Sequence, residues 1–179
     1  KKRGGDYIES ELQKAVDTQP LNTGVVEEII HYSHNRQSWL VFCAGIEHAQ
    51  HITDELLHRD IKAACVTGKT PAGERARILQ QFKSGDIQAV VNVSVLTTGF
   101  DAPNTDLIAM LRPTESPALY MQMVGRGLRL KDHCTDCLVL DFAGNVSKHG
   151  PVTAVAAPDE LKTGDQKTQE CPNSEEIPS

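Results

Sequence analysis

Trp39-Leu40-Val41-Phe42-Cys43-Ala44-Gly45 decides the fold. A strand with one wet face alternates apolar and polar residues, whereas a run apolar at every position reads as a strand buried on both faces. Ala44-Gly45 punctuates the run, and Ile46, Ala49, Ile52, Thr53, Leu56 and Leu57 then recur at helical spacing. Further along, Lys62 to Val66 reads as a second strand, and Thr70-Pro71 is placed to cap a helix with the face Ala72, Ala76, Leu79 and Phe82. Gly85 is suited to end that helix. Strands are expected over Ile87 to Val93, Asp106 to Leu111 and Asp136 to Phe142. Upstream, Val25, Val26, Ile29, Ile30 and Ser33 predict a helix from about Thr23 to Asn35. Strands alternating with helices make βαβ units, so the chain predicts an α/β fold: a mostly parallel sheet with helices on both faces. In such sheets the functional loops lie beyond the carboxyl ends of the strands.

The 179 residues suffice for one core with tails, and 39% hydrophobic with 23% charged residues describes an ordinary globular composition. No apolar run approaches the roughly 18 residues of a membrane span. Five cysteines without a framework suit a reducing compartment, here the cytoplasm. The net charge of −6 is uneven: six acids against two lysines follow Gly150, which leaves residues 1–149 near neutral. Bulk field alone therefore gives this chain no strong grip on a polyanion.

Residues 1–22 read as a connector entering from an upstream module, with a short helix around Ser10 to Val16. Residues 23–149 read as the domain and 150–179 as a polar tail, in which Cys171-Pro172-Asn173-Ser174 would also suit the start of a truncated zinc-binding segment. The absence of an initiator Met suits a piece of a longer protein.

Tyr120-Met121-Gln122-Met123-Val124-Gly125-Arg126-Gly127-Leu128-Arg129-Leu130 concentrates the chemistry. Ser116-Pro117 predicts the start of its helix, with Ser as cap and Pro in the first turn. Arg126 and Arg129, three apart, would then share one exposed face, with Gln122 a turn earlier. Arginine suits phosphate because its planar fork binds bidentately and keeps its charge. A plain surface helix with two solvated arginines is the competing reading. Thr67-Gly68-Lys69-Thr70 ends like a phosphate-binding loop, but Ala63 stands where G-x-x-x-x-G-K-[ST] needs glycine, so no nucleotide cradle is expected there. Thr97-Thr98-Gly99-Phe100-Asp101-Ala102-Pro103 offers hydroxyls, a glycine and a carboxylate in one turn, a pattern shared with ordinary turns. Cys134 and Cys137 form C-x-x-C, but Cys137 runs into a strand, and no metal site is expected.

Thr97 to Pro103 resembles motif V, and Gln122 to Arg129, with its Q-x-x-G-R-x-x-R spacing, resembles motif VI of superfamily 2 (DEAD/DEAH-like) helicases. Trp39 to Ala44 resembles the strand before motif IV, and Glu74-Arg75 through Gly85 the stretch between motifs IV and V. The resemblance runs from about Arg36 to Asn145. Leu111 to Ser116 and Thr135 to Leu138 are similar to the bacterial RadD-type group of DNA-repair helicase-like proteins.

The resemblance implies the second RecA-like domain, three-layered, of an ATP-dependent motor acting on DNA, with RNA as the other candidate. ATP and Mg2+ would be held mainly by an upstream RecA-like domain, and this chain alone would hydrolyse no ATP. Arg126 and Arg129 would be arginine fingers, and Gln122, Gly99, Asp101 and Gly125 would line the nucleotide side. Ala44, Gly45, Thr67, Gly68, Thr97 and Thr98 would lie along the nucleic-acid track. Two rivals compete: a binding module without ATP chemistry, and a Rossmann-like transferase, which the missing G-x-G-x-x-G disfavours.

Overall fold

The computed structural model describes residues 2–3, 6–7, 12–13, 16–93, 104–128 and 136–151. A two-stranded antiparallel ribbon pairs β1 (Lys2–Arg3) with β2 (Asp6–Tyr7). The domain then runs α1 (Gln19–Ser33), β3 (Trp39–Phe42), α2 (Ile46–Leu57), β4 (Ala63–Val66), α3 (Ala72–Ser84), β5 (Ala89–Asn92), β6 (Leu107–Met110), α4 (Pro117–Val124), β7 (Leu138–Asp141) and α5 (Asn145–His149). Strands β3 to β7 form one sheet in the order β4-β5-β3-β6-β7, and every pairing in it is parallel. Each strand is shorter than expected, β3 and β4 at one end and β5, β6 and β7 at both. The flanking residues turn into loops once the ladder closes.

Strand β3 is central, in register with Ala89–Asn92 on one side and Leu107–Met110 on the other, and all four of its residues are buried. Its side chains alternate between two cores. Trp39 and Val41 join Val26, Ile29, Ala49, Ile52 and Leu56 under α1 and α2. Leu40 and Phe42 join Ile78, Phe82, Tyr120, Met123 and Val124 under α3 and α4. Helix, sheet, helix is the three-layer RecA-like α/β architecture.

Several local expectations change. Helix α1 runs Gln19–Ser33 rather than Thr23 to Asn35, because Pro20 sits in its first turn and sets φ for a helix start. Helix α3 buries Ile78 and Phe82, while Ala72 and Ala76 are exposed. Thr70 does not cap α3; its Oγ1 accepts a hydrogen bond from Thr67 N (3.0 Å), and Pro71 occupies the cap position. Leu57 ends α2 exposed, and His48, not assigned to that helix's inner face, is buried there. Gly85 closes α3 as expected, in the left-handed region at φ 82°, which glycine adopts without penalty. The helix expected around Ser10 to Val16 falls largely outside the described residues, although Asp17 N donates to Gln13 O at 2.8 Å.

Two buried polar groups set the ends of the sheet. At the amino end, the Asp106 carboxylate accepts from Gln37 N (2.7 Å) and Ser38 N (2.9 Å), tying the entry to β3 onto the start of β6. At the carboxyl end, fully buried Asn145 donates to Arg112 O (2.9 Å) and accepts from Thr114 N (2.9 Å). Asp141 takes Ala143 N and Val146 N at 3.1 and 2.7 Å, which folds the chain from β7 into α5.

Candidate nucleotide and nucleic-acid surface

Helix α4 presents the arginine-bearing stretch. Thr114 Oγ1 accepts from Ser116 N (3.0 Å), and Ser116 Oγ accepts from Leu119 N (3.2 Å), so Ser116 is the cap expected for it. Tyr120, Met123 and Val124 recur at i, i+3 and i+4 and are buried against the sheet. The Tyr120 hydroxyl donates to Gly150 O (3.1 Å), and its ring stacks on His149 at 5.3 Å. His149 Nε2 in turn meets Thr114 O at 2.9 Å, so α4 and α5 are tied to one loop. Gln122 faces away from this core and is exposed.

Arg126 does not lie on the helix, as its spacing from Arg129 had implied. Helix α4 stops at Val124, and the chain tightens into short turns: Arg126 N donates to Met123 O (3.4 Å) and Gly127 N to Val124 O (2.9 Å). Gly125 closes the helix, with its N–H on Met121 O at 2.8 Å. Gly127 is seated against Cys137 and Ile108, where a Cβ would collide with Cys137 Sγ. The backbone therefore dips to the sheet at Gly127, which fixes where Arg126 leaves it. Arg126 is half-buried, with its Nε enclosed, rather than exposed. A guanidinium held by its stem at the rim of a domain, with an exposed amide one turn before it, suits a polyphosphate. Arg129 lies outside the described residues, as do Thr97, Thr98, Gly99 and Asp101.

The other candidates sit past β3 and β4. Ala44 and Gly45 follow β3 after Cys43, and Gly45 holds the cap position of α2. Both are buried, and the Gln13 side chain lies so close to Gly45 that a Cβ there would collide with it. Thr67 follows β4 and is buried at 6% exposure, while Gly68 is exposed with open space around it. The Thr67–Thr70 turn satisfies itself. Lys69 N donates to Thr67 Oγ1 (3.2 Å), and Arg75 Nη2 donates to Thr67 O and Thr70 O (3.3 and 3.2 Å). Thus Ala44, Gly45, Thr67 and Gly68 all stand beyond the carboxyl ends of parallel strands, at the same end of the sheet.

His48 and His51 are one turn apart on α2, where helical spacing gave no chemical signal. Burial pushes His48 below its ordinary 6.5, so it stays neutral. His51 is raised by its hydrogen bond to Asp17, with Nδ1 2.9 Å from the carboxylate. Burial works to raise the Asp17 carboxyl, but Asn22 (2.8 Å) and His51 outweigh it and hold the group below 3.8. Gln13, Asn22, His48, His51 and Arg75, which contact the candidate loops or Asp17, gave no signal along the chain, because polar residues at these spacings occur on any wet surface.

Residues 22–131 match the family described as helicase conserved C-terminal domain, and the chain belongs to that family. It is 35% identical over 158 residues to a Schizosaccharomyces pombe protein named "Putative mitochondrial ATP-dependent helicase irc3", covering 86% of this chain and 26% of that one. A Saccharomyces cerevisiae relative named "Putative ATP-dependent helicase IRC3" is 34% identical over 159 residues, covering 86% and 22%. The chain thus spans about a quarter of the length of these relatives. Among solved structures, Mycobacterium smegmatis helicase Lhr, bound to single-stranded DNA and AMP-PNP, superposes with a TM-score of 0.57 at 26% identity. That match covers 70% of this chain and 17% of Lhr. Among the described residues, no helix is long and apolar enough to cross a membrane.

Proposed function

We propose that this chain is the second motor domain of an ATP-dependent superfamily 2 helicase or translocase acting on DNA. The observation that carries the reading is the placement of Gln122 and Arg126. Gln122 to Arg126, the described part of the Q-x-x-G-R-x-x-R stretch, lies at the end of a helix packed on a RecA-like sheet, with Arg126 leaving beside Gly127, whose close approach to the sheet fixes the backbone. Arg126, with Arg129, would act as an arginine finger on the γ-phosphate of ATP held with Mg2+ by an upstream RecA-like domain. Such fingers contribute about 10³–10⁵ in rate in comparable systems. Gln122, Gly125, Gly99 and Asp101 would face the nucleotide. Ala44, Gly45, Thr67, Gly68, Thr97 and Thr98 would line the track, where backbone N–H groups and hydroxyls suit a phosphate chain. DNA is favoured over RNA by the similarity to Lhr, whose structure holds single-stranded DNA. The RadD-type assignment rests on Leu111 to Ser116 and Thr135 to Leu138. A reducing compartment suits the free thiols of Cys43, Cys65 and Cys137, and the cytoplasm is the one proposed.

This reading expects the 179-residue chain to hydrolyse no ATP and to bind it weakly, because the phosphate cradle belongs to the other domain. Calorimetric titration of ATP into the chain is the test. Sub-micromolar binding, or turnover without the upstream domain, would contradict the division of labour proposed here.

A further inference from the structure

A corner between α1 and α2 already holds an anion supplied by the chain itself. The Asp17 carboxylate is 8% exposed and is held by Asn22 Nδ2 (2.8 Å) and His51 Nδ1 (2.9 Å). Gln13, a turn before it, covers Gly45 and donates through Nε2 to Glu47 in the first turn of α2. Both residues thus engage the amino half of the helix that follows β3, where Ala44 and Gly45 lie.

These contacts are built to part. His51 is 55% exposed, so its pairing with Asp17 is a surface ion pair of modest strength. Behind them lies a cavity of about 270 Å³ lined mainly by Val16, Leu21, His48, Leu111, Pro113 and Phe142. Val16 and Leu21 line it, and Leu21 is 52% exposed. Gln13 and Asp17 are held through polar contacts, and contacts of that kind open at lower free-energy cost than packed apolar ones.

We propose that Gln13 and Asp17 form an autoinhibitory latch, in which the Asp17 carboxylate occupies the His51–Asn22 corner as a stand-in for a nucleic-acid phosphate while Gln13 covers Gly45. The inference rests on the track reading above. A strand reaching Gly45 must displace Gln13, and Asp17 anchors the turn that carries it, its N donating to Gln13 O at 2.8 Å, so the strand's apparent affinity is reduced by the fraction of molecules that are latched. Once vacated, the corner offers the phosphate an imidazole and an amide N–H, the two groups that now serve Asp17.

The test uses the full chain and a fluorescent single-stranded DNA 20-mer, read by anisotropy. Asp17→Asn and Gln13→Ala should each tighten binding about two- to fivefold, the factor expected when a weak surface contact ceases to compete. Asp60→Asn, the same charge change at the far end of α2, separates the latch from a general gain in positive charge. Its effect should be smaller than either. The groups facing His51 are Asp17, Asp54, Glu47 and His48. NMR titration should therefore show its pKa fall in Asp17→Asn, which establishes the contact without DNA. Equal affinities in the parent, Asp17→Asn and Gln13→Ala would overturn the latch while leaving the track reading standing. Absence of DNA binding in every protein would overturn both, and the His51 titration would then show whether the contact exists without that role.

Discussion

At the scale of single residues, the molecule depends on a few buried groups that composition conceals. Gly127 is required by space rather than by φ. A Cβ there meets Cys137 Sγ and Cβ and also Ile108 Cδ1 at 3.0 Å. Since Ile108 is fully buried, the neighbours cannot yield freely. Gly127→Ala should cost about 1–3 kcal/mol by overpacking, measured as a lower urea midpoint with an unchanged slope. It should also displace Arg126, which precedes it. Asn145→Ala removes the bridge between Arg112 O and Thr114 N, leaving both buried groups without that partner. A loss of about 1–3 kcal/mol is expected from the same measurement, and none would mean the loop is held by other contacts. Sequence spacing singled out Arg126 and Gln122 as candidates but misjudged the arginine's surroundings. It treated the helix as continuing through the glycines, whereas the close approach at Gly127 ends it.

At the scale of elements, His51 on α2 and Asp17 just before α1 are expected to respond to pH as a pair. His51 is raised above 6.5 by Asp17, so its contribution is fully present below 6.5 and is lost as pH rises through the raised value. Asp17 is lowered below 3.8, so its contribution is present above 3.8 and is lost only as pH falls through the lowered value. The contact is therefore tightest from about pH 4 to 6.5 and loosens above it. Amide exchange at Gly45 to Glu47, corrected for its intrinsic pH dependence, should show weaker protection at pH 8 than at pH 6 in the parent. Asp17→Asn should remove that difference. An unchanged profile in the variant would mean that another group controls the exposure of these amides.

At the scale of the whole molecule, the fold was largely legible and the site only partly. Buried parallel strands write themselves as continuous apolar runs, so Trp39 to Cys43 and Ile87 to Val93 were found, the first trimmed at one end and the second at both. The start of α1 was missed because Gln19 to Asn22 carry no apolar period, and a proline in the first turn signals more weakly than a hydrophobic stripe. The α3 face was misread because alanine fits a buried or an exposed position equally well. Long-range polar contacts such as Gln13 on Gly45 or Asp106 on Gln37 leave no local periodicity, so no pattern along the chain can announce them.

The arginines carry the central claim, and the protein with its upstream motor domain is the place to test it. There, Arg126→Ala should lower DNA-stimulated ATP turnover by at least about 10²-fold while ATP affinity falls far less, because the charge it meets grows in the transition state. Arg126→Lys should not restore turnover, since a point charge cannot reproduce the bidentate fork. Because the Arg126 stem is half-buried, a melting curve of each variant should accompany the assay, so that lost packing is not read as lost catalysis. Turnover cut a hundredfold in a folded variant that still binds ATP is the result this account predicts. Near-normal stimulated turnover in Arg126→Ala would contradict it.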